Sequence, residues 1–426
     1  MTIAEEDAPG AGASGANDIR TARPGTRPDS HPCPLARLGI IGGGQLARML
    51  IPSASRLGCE TRVLDPTTDS PGGQLAGAQI VGAFDDPAAL RRLVEQCTVT
   101  TYEIETVDTN VLRSLEREGH RIVPSAAVLS IIQDKLVQKQ HLAAAGIPVP
   151  EFQELETPDA RALADFGLPL VQKARRGGYD GRGVAVFLDV VIEEQVLQAP
   201  SMVERFVDHR CELAVLVARG ADGETRSWPV VEMVFDDRAN VLDLLLAPAR
   251  IDAEIAERAR CIAVEAVCAL SGIGVFGVEL FLTRAGDILV NEIAPRTHNS
   301  GHWTIEACTT SQFEQQVRVV TGLPLGDTTQ HSPAVMLNLL GAENAYGAPV
   351  VEGLTEALTI PGVSVHLYGK HEVRPFRKMG HVTVTAPNLD EAIARARSVR
   401  DCLQIRGNGR GGAARDEQDD RGSTAQ

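Results

Sequence analysis

A strand, a glycine turn and a helix follow one another near the start of the chain, and this pattern constrains the fold most strongly. The apolar run 38–41 leads into three glycines, 42–44, and then into a helical pattern over 46–50. Further strands are predicted at 61–64 and 99–104, with a helix at 86–96 between them. Because parallel strands are joined by helical crossovers, the alternation predicts an α/β domain with a doubly wound parallel sheet.

The pattern changes character along the chain, which predicts three packed units between two disordered ends. Residues 1–34 are rich in Gly, Ala, Pro and Ser, and residues 406–426 are rich in Gly, Arg and Asp. Both ends carry few large apolar side chains, so they cannot offset the entropy cost of ordering. The first unit, 35–130, closes with a strand at 121–124, after which a new helix is predicted to start at Ser125. A helix that covers 130–139 and ends near Gly146 opens the second unit, 131–330. The third unit, 331–405, combines strands with a terminal helix at 390–403, so the whole chain is expected to be α/β and α+β.

The charge balance excludes two classes of partner. The 426 residues include 56 acidic and 41 basic side chains, a net charge of −15, which disfavours nucleic acid and anionic membranes. No stretch reaches about 18 uninterrupted apolar residues, the length needed to span a bilayer, so we expect a cytoplasmic protein. The 8 cysteines contain no Cys-x-x-Cys pair, which favours buried thiols over disulfides or zinc.

The glycine turn also satisfies a dinucleotide-binding fingerprint. Gly42, Gly44 and Ala47 have the fingerprint spacing, and Asp65 follows about twenty residues later. A dehydrogenase is therefore one alternative. The pattern requires only that amides at a helix amino terminus approach a phosphate, so a ribose phosphate would fit equally well.

A second glycine-rich segment, GGYDGRG at 177–183, lies between two strand-like runs. Lys173, Arg175 and Arg176 precede it, so a loop able to wrap phosphate with its amides is flanked by cations. The alternative is a flexible hairpin turn. The chain has no GxxxxGK[ST] sequence, which excludes the phosphate loop of that NTPase class.

Two carboxylates are predicted to face each other across a hairpin. Apolar runs at 277–283 and 288–293 flank the turn at 284–287, and a turn centred on Ala285 and Gly286 would pair Glu279 with Glu292. Opposed like charges destabilise a strand pair unless a cation lies between them. The hairpin thus predicts a magnesium site, with two solvated carboxylates as the alternative.

Two polar segments follow the hairpin. The stretch 294–303, APRTHNSGHW, has two histidines four residues apart, but its Pro, Asn, Ser and Gly predict a loop that contacts an anion or substrate. The stretch 370–381 is strongly basic within an acidic protein. It is either a solvated face or a ribose phosphate site in which arginines supply forked hydrogen bonds.

These segments, in this order, resemble the ATP-grasp superfamily and, within it, the 5-(carboxyamino)imidazole ribonucleotide synthases of purine biosynthesis. The resemblance covers about residues 36–400 and rests on GGGQLAR at 42–48, DKLVQKQ at 134–140, GGYDGRG at 177–183, NEIAPRTHNSGHW at 291–303 and EVRPFRKMGH at 372–381. It implies a Rossmann-like preATP-grasp domain, an ATP-grasp domain and a small carboxy-terminal domain.

The resemblance also implies roles for individual residues. Glu279 and Glu292 would bind Mg²⁺, and the catalytic residues would be Asp180, Arg182, Arg296 and His298. ATP would contact Lys135, Lys173, Gly177, Gly178, Tyr179, Asp180, Gly181, Arg182, Gly183, Glu204, Arg205, Phe206, Val207, Glu212, Asn291 and Glu292. The ribonucleotide would contact Gln45, Leu46, Glu103, Tyr179, Asp180, Arg182, Arg296, His298 and Asn299, with Lys370, Arg374, Arg377 and Lys378 holding its 5′-phosphate.

The implied reaction uses ATP and bicarbonate to carboxylate the exocyclic amine of 5-aminoimidazole ribonucleotide through carboxyphosphate. Members are expected to act as homodimers and to pass the product to a separate mutase. The alternatives are a formate-dependent glycinamide ribonucleotide transformylase, which shares the scaffold, and a regulatory module that binds ATP without turnover. The segment 232–248 departs from the family pattern because it lacks a glycine turn, so no nucleotide contact is expected there.

Overall fold

The first sheet forms as the alternating pattern predicts. The computed structural model describes residues 36–178, 183–236 and 241–409. Its first elements are β1 (Arg37–Ile41), α1 (Gln45–Arg56), β2 (Glu60–Asp65), β3 (Ala78–Val81), α2 (Pro87–Val94), β4 (Val99–Tyr102) and α3 (Thr109–Arg117). The strands are all parallel, in the order β3-β2-β1-β4. The strand predicted at 121–124 is wrong, since this stretch forms only an isolated bridge between Ile122 and Thr100.

The helix predicted to start at Ser125 is confirmed, whereas the helix predicted to start at Ser130 begins five residues later. They are α4 (Ala126–Gln133) and α5 (Lys135–Ala144). Asp134 separates them in an extended conformation, and its carboxylate accepts hydrogen bonds from the amides of Leu136 and Val137. The start predicted at Ser130 was wrong because Asp134 caps a new helix, and such a cap competes with continuation of the old helix.

A small antiparallel sheet follows. It comprises β5 (Phe152–Leu155), α6 (Ala160–Phe166), β6 (Leu170–Ala174), β7 (Val184–Phe187) and β8 (Ser201–Arg205), with strand order β5-β8-β6-β7. Strands β6 and β7 confirm the strand-like runs predicted on either side of the glycine-rich segment. Leu163 of α6 and Phe187 of β7 are buried in the core of this unit.

A nine-stranded sheet forms the centre of the remaining chain. The elements up to residue 330 are β9 (His209–Arg219), β10 (Thr225–Ser227), β11 (Val231–Asp236), β12 (Val241–Ala247), α7 (Ala253–Ala269), β13 (Gly274–Thr283), β14 (Ile288–Ala294), α8 (Thr304–Ala307) and α9 (Gln312–Thr321). Those after it are β15 (Ala334–Leu340), β16 (Pro349–Glu352), α10 (Leu354–Thr359), β17 (Val363–Leu367), β18 (Lys378–Thr385), α11 (Leu389–Cys402) and β19 (Gln404–Gly407). The strand order is β14-β13-β9-β11-β12-β15-β18-β17, with β10 beside β9.

This sheet continues across the domain boundary predicted at 330. Strand β12 pairs with β15, so that Leu244 lies opposite Leu337 and Leu246 opposite Val335. The four side chains share one buried cluster with residues of α11. The boundary therefore divides the chain but does not divide the sheet.

The carboxy-terminal tail was predicted to begin at 406, and this start is too early. Strand β19 continues to Gly407 and pairs with β16. Its apolar residue Ile405 is buried, which explains why the chain stays ordered there. The predicted leader, 1–34, and the rest of the tail, 410–426, lie outside the described residues.

Two further expectations concern membranes and cysteines. Within the described ranges, no helix combines the length and the apolar character needed to cross a bilayer.

Cys59 is disulfide-bonded, so the expectation of buried thiols is wrong at this position. Burial in an apolar segment does not distinguish the two states, because a thiol and a cystine are both apolar.

Candidate active site

The glycine turn brings the amino terminus of α1 against two carboxylates of its own sheet. Glu103, which follows β4, accepts hydrogen bonds from the amides of Gly44 and Ala47, the latter at 2.5 Å. Asp65, at the end of β2, accepts one from Gly43 at 2.8 Å. Because these carboxylates already occupy the anion site that a coenzyme pyrophosphate would need, the geometry argues against the dehydrogenase alternative.

Burial raises the pKa of Glu103 to about 6, although the amides of Ala47 and Gly44 favour its charged form. The glycines are needed at this point for steric reasons. Gly42 has φ +101°, and a Cβ there would overlap the Glu103 side chain. The glycine turn therefore leaves room for the Glu103 side chain, which follows β4 at the carboxyl edge of the sheet.

Some of the residues predicted to bind the ribonucleotide lie in contact across the predicted units. Gln45, at the start of α1, accepts a hydrogen bond from Lys370 at 2.7 Å. The partly buried Arg296 guanidinium lies 2.8 Å from Glu105 and donates to the carbonyl of Thr297. Among the described residues, the buried Arg296 Nε has no hydrogen-bond partner, so it is a donor that a ligand could satisfy.

Three predicted substrate contacts have different surroundings from those expected. The Leu46 side chain is buried in the core beneath α1, so a contact with the ligand is left to its backbone. Asn299 exchanges hydrogen bonds with the amide of Asn338, at 3.0 and 3.2 Å, and therefore braces β15. Arg374 is exposed and pairs with Glu372 at 2.9 Å.

The predicted carboxylate pair is confirmed, although the predicted turn is not. Glu279 of β13 lies opposite Glu292 of β14. The loop is one residue longer than predicted, because the Thr283 amide donates to the Asp287 carbonyl. A bulge at Asn291 compensates for the longer loop and restores the register at the two glutamates.

The two carboxylates differ strongly in electrostatics. Burial raises the pKa of Glu279, and the neighbouring charge of Glu292 raises it further. An ion pair with Lys135 lowers the pKa of Glu292. His298 Nε2 lies 3.5 Å from Glu279 Oε1, so this pair connects a residue predicted to bind the ribonucleotide with a residue predicted to bind Mg²⁺.

The residues predicted to bind ATP include a cluster of lysines and carboxylates between the small sheet and β14, which we call the nucleotide side. Lys173 Nζ lies 2.9 Å from Asn291 Oδ1 and 2.7 Å from Glu204 Oε2. Lys139, which the sequence analysis missed, lies 3.1 Å from the other oxygen of Glu204. Its spacing of four residues from Lys135 was the available signal, because residues i and i+4 share a helix face.

Burial and charge set the protonation of this cluster. Burial lowers the pKa of Lys139 to about 8. Burial alone would raise the pKa of Glu204, but the charges of Lys139 and Lys173 outweigh it and lower that pKa. Glu204 is therefore charged at neutral pH and holds both ammonium groups close to Glu292.

The remaining predicted nucleotide contacts lie along β8 and β9. The Arg205 guanidinium points towards α6, where it donates to the Gly167 carbonyl and stacks over Phe166, so a contact with ATP is left to its backbone. Glu212 lies 3.7 Å from His209, and burial raises its pKa. Gly177 and Gly178 follow β6, and Gly183 precedes β7. Tyr179, Asp180, Gly181 and Arg182 lie outside the described residues, as do residues 237–240 of the departing segment.

The carboxylate pair fits magnesium bound together with a nucleotide. Among the described residues, no three His, Cys, Asp or Glu side chains are grouped to bind a metal on their own. Mg²⁺ typically takes one or two protein carboxylates and completes its octahedron with phosphate oxygens and water. The raised pKa of Glu279 beside a charged Glu292 is the strain that a divalent cation would relieve.

Three family models match the chain in the expected order. They are the ribonucleotide synthetase preATP-grasp domain over residues 35–133, the ATP-grasp domain over 140–313 and the phosphoribosylaminoimidazole carboxylase C-terminal domain over 334–395.

Similar proteins cover nearly the same part of the chain. The N5-carboxyaminoimidazole ribonucleotide synthase of Bacillus subtilis is 39% identical over 370 residues, which is 84% of this chain and 94% of that protein. The crystal structure of N5-carboxyaminoimidazole ribonucleotide synthetase from Thermotoga maritima superposes with a TM-score of 0.82 at 47% identity, covering 88% of this chain and 100% of that one. The Aspergillus clavatus synthase, in complex with ADP and 5-aminoimidazole ribonucleotide, gives a TM-score of 0.77 at 37% identity, over 86% and 98% of the chains. Longer relatives named phosphoribosylaminoimidazole carboxylase, such as that of Ogataea methanolica, are matched over 64% to 67% of their own length.

Proposed function

The chain belongs to the N5-carboxyaminoimidazole ribonucleotide synthase family of ATP-grasp ligases. From this premise we propose which of its residues bind ATP and which bind the ribonucleotide. The reaction carboxylates the exocyclic amine of 5-aminoimidazole ribonucleotide with bicarbonate and forms ADP from ATP, as a step of purine biosynthesis. A bicarbonate oxygen attacks the γ-phosphorus and the bond to ADP breaks. The resulting carboxyphosphate releases carbon dioxide and phosphate, and the amine captures the carbon dioxide and loses a proton.

The position of Glu279 is the observation that carries this proposal. Glu279 lies opposite Glu292, whose partner Lys135 belongs to the nucleotide side, and 3.5 Å from His298, which belongs to the ribonucleotide side. Phosphoryl transfer and carbon capture would therefore occur at adjacent points. A short path for carbon dioxide from carboxyphosphate to the amine limits the time in which water can hydrolyse carboxyphosphate.

The nucleotide side binds and neutralises the triphosphate. Lys135 and Lys173 contact phosphate oxygens and exchange their present carboxylate partners for them, while Glu204 with Arg205, Phe206 and Val207 contacts the adenine and Glu212 the ribose. Glu279 and Glu292, with Asn291 beside them, would hold Mg²⁺, which would supply positive charge against the phosphate oxygens. The segment 177–183 contributes backbone amides to the phosphates.

The ribonucleotide side orients the amine and the 5′-phosphate. Arg296 and His298 bind near the reacting carbon, together with Asp180 and Arg182, and the buried Arg296 Nε gains the acceptor it lacks. Gln45, Leu46, Glu103, Tyr179 and Asn299 shape the pocket. Lys370, Arg374, Arg377 and Lys378 supply the cations for the 5′-phosphate.

The test is ADP release by the full chain with ATP, magnesium and bicarbonate, with and without 5-aminoimidazole ribonucleotide. Stimulation by this ribonucleotide is expected, and its absence would contradict the proposal. Glycinamide ribonucleotide with formate is the control for the transformylase alternative. The family membership does not favour that alternative, so the control is expected to stay at background.

The assembly and pathway context extend the proposal. From family likeness we infer a homodimer, and sedimentation that finds only monomer at micromolar concentration would contradict it. The product is expected to pass to a mutase that catalyses the next step. The cytoplasmic location stays a prediction from composition.

A further inference from the structure

The break between α4 and α5 contacts both halves of the site. The side-chain amide of Gln133, the last residue of α4, donates to the carbonyl oxygens of Glu105 at 2.5 Å and Val107 at 2.7 Å. These carbonyls belong to the segment 103–107, which leaves the carboxyl end of β4. In the same segment, Glu103 accepts a hydrogen bond from the Ala47 amide of α1, and Glu105 forms an ion pair with Arg296.

The next residue fixes the nucleotide side. The buried carboxylate of Asp134 caps α5, whose first residue is Lys135, and binds the Arg175 guanidinium through two nitrogens at 2.8 to 3.2 Å. The Lys135 amide donates to the Arg175 carbonyl at 2.9 Å. Two consecutive residues thus join the segment behind Arg296 to the helix that presents Lys135 to Glu292.

We propose that Gln133 is a positioning residue, which holds Arg296 in register with the nucleotide-side lysines by fixing the segment 103–107. The inference rests on the proposed function. A glutamine suits the task because its two N–H groups can satisfy two carbonyl oxygens at once, and its own carbonyl oxygen accepts a hydrogen bond from Arg176 at 3.3 Å.

A displacement of Arg296 relative to the nucleotide-side lysines would change the outcome of the reaction. Carboxyphosphate forms beside Lys135 and must deliver its carbon to an amine beside Arg296. If the amine is misplaced, water takes its place, carboxyphosphate returns to bicarbonate and phosphate, and the net change is hydrolysis of ATP. The ratio of ADP to carboxylated product then rises above one.

Gln133→Leu and Gln133→Glu in the full chain test the proposal, with Gln153→Leu at an exposed position of β5 as the matched control. Both Gln133 variants lack the N–H donors, so each should raise KM for 5-aminoimidazole ribonucleotide about tenfold. The ADP-to-product ratio should rise above one, while KM for ATP stays within about twofold of the wild type. The control should match the wild type, and a wild-type KM and ratio in Gln133→Leu would overturn the proposal.

Hydrogen exchange separates this inference from the proposed function. Amides in the segment 103–107 should exchange faster in Gln133→Leu than in the wild type, and this difference does not depend on which substrate the enzyme uses. If the wild type releases no ADP with the ribonucleotide, the proposed function fails while the exchange result still decides the structural role. Unchanged exchange in that segment would contradict a positioning role for Gln133.

Discussion

The Glu292 side chain lies between two charged groups, because it faces the Glu279 carboxylate and pairs with the Lys135 ammonium group. Glu292→Gln keeps the size of the side chain but removes the charge that would bind magnesium. We expect kcat for ADP formation to fall by at least about a hundredfold, since an electrostatic contribution to phosphoryl transfer is lost. Glu356→Gln, at an exposed position of α10, should retain activity. Near-normal turnover in Glu292→Gln would contradict the metal role.

The basic segment offers a second test at the level of one residue. Arg377 donates to the Glu372 carbonyl at 2.6 Å, and burial lowers its pKa, which indicates a guanidinium partly withdrawn from water. Arg377→Ala should raise KM for the ribonucleotide about tenfold and leave KM for ATP unchanged, since a charge-assisted contact with the 5′-phosphate is lost. Arg397→Ala, at an exposed position of α11, is the control. An unchanged KM would show that the segment is a solvated face.

Side chains that carry charge at motif positions could be predicted from the sequence, but their supporting partners could not. Glu279, Glu292 and Lys135 occur in recognisable strings. Glu105 and Asn338 have no local signal, because each acts on a residue far away in the chain: Glu105 on Arg296 and Asn338 on Asn299. Such pairs become visible only when the fold sets their separation.

At the level of elements, the hairpin at 274–294 shows why a correct register can come from an incorrect turn. The turn was predicted one residue too short, and the bulge at Asn291 was not predicted at all. These two errors cancel at Glu279 and Glu292 but would not cancel at Leu280, which pairs with Val290. Bulges follow from strand twist and packing, and alternation of side chains along one strand does not reveal them.

The strand–turn–helix at 37–56 predicts a specific penalty at Gly42. Gly42→Ala places a Cβ against Glu103 at a backbone φ of +101°. Gly119→Ala is the matched control, because Gly119 has φ +97° with open space around the added carbon. Because the two positions have similar positive φ angles, the extra loss of unfolding free energy in Gly42→Ala, about 1–3 kcal/mol, reports the overlap. Equal destabilisation in chemical denaturation would show that Glu103 can move aside freely.

At the scale of the whole molecule, the shared sheet predicts that the second and third units fold together. A fragment ending at residue 327 lacks β15, β17 and β18, and thereby uncovers Leu244 and Leu246 of β12. We expect this fragment to aggregate or to melt without a cooperative transition. A chain ending at residue 409 retains every described strand and should melt like the full protein. A cooperative, soluble 1–327 fragment would show that the boundary at 330 separates independent domains.

Buried imidazoles at the seam between these units make stability depend on pH. Burial lowers the pKa values of His302 and His381 well below the ordinary value, and their rings contact each other with centroids 4.6 Å apart. His366 stacks on His381, and Tyr368 lies within hydrogen-bond distance of it. Below about pH 6.5 the unfolded chain binds protons that the folded protein excludes, so stability is lost as the pH falls, by about 1.4 kcal/mol per pH unit for each group.

His381→Gln removes one of these two groups and should therefore halve their joint contribution to the fall in thermal midpoint between about pH 7.5 and about pH 5.5. His331→Gln, at an exposed position, should leave the fall at the wild-type size. The comparison uses the change in midpoint with pH within each variant, so a general loss of packing in His381→Gln does not affect it. An identical fall in His381→Gln and the wild type would mean that His381 takes up a proton as readily in the folded protein as in the unfolded chain.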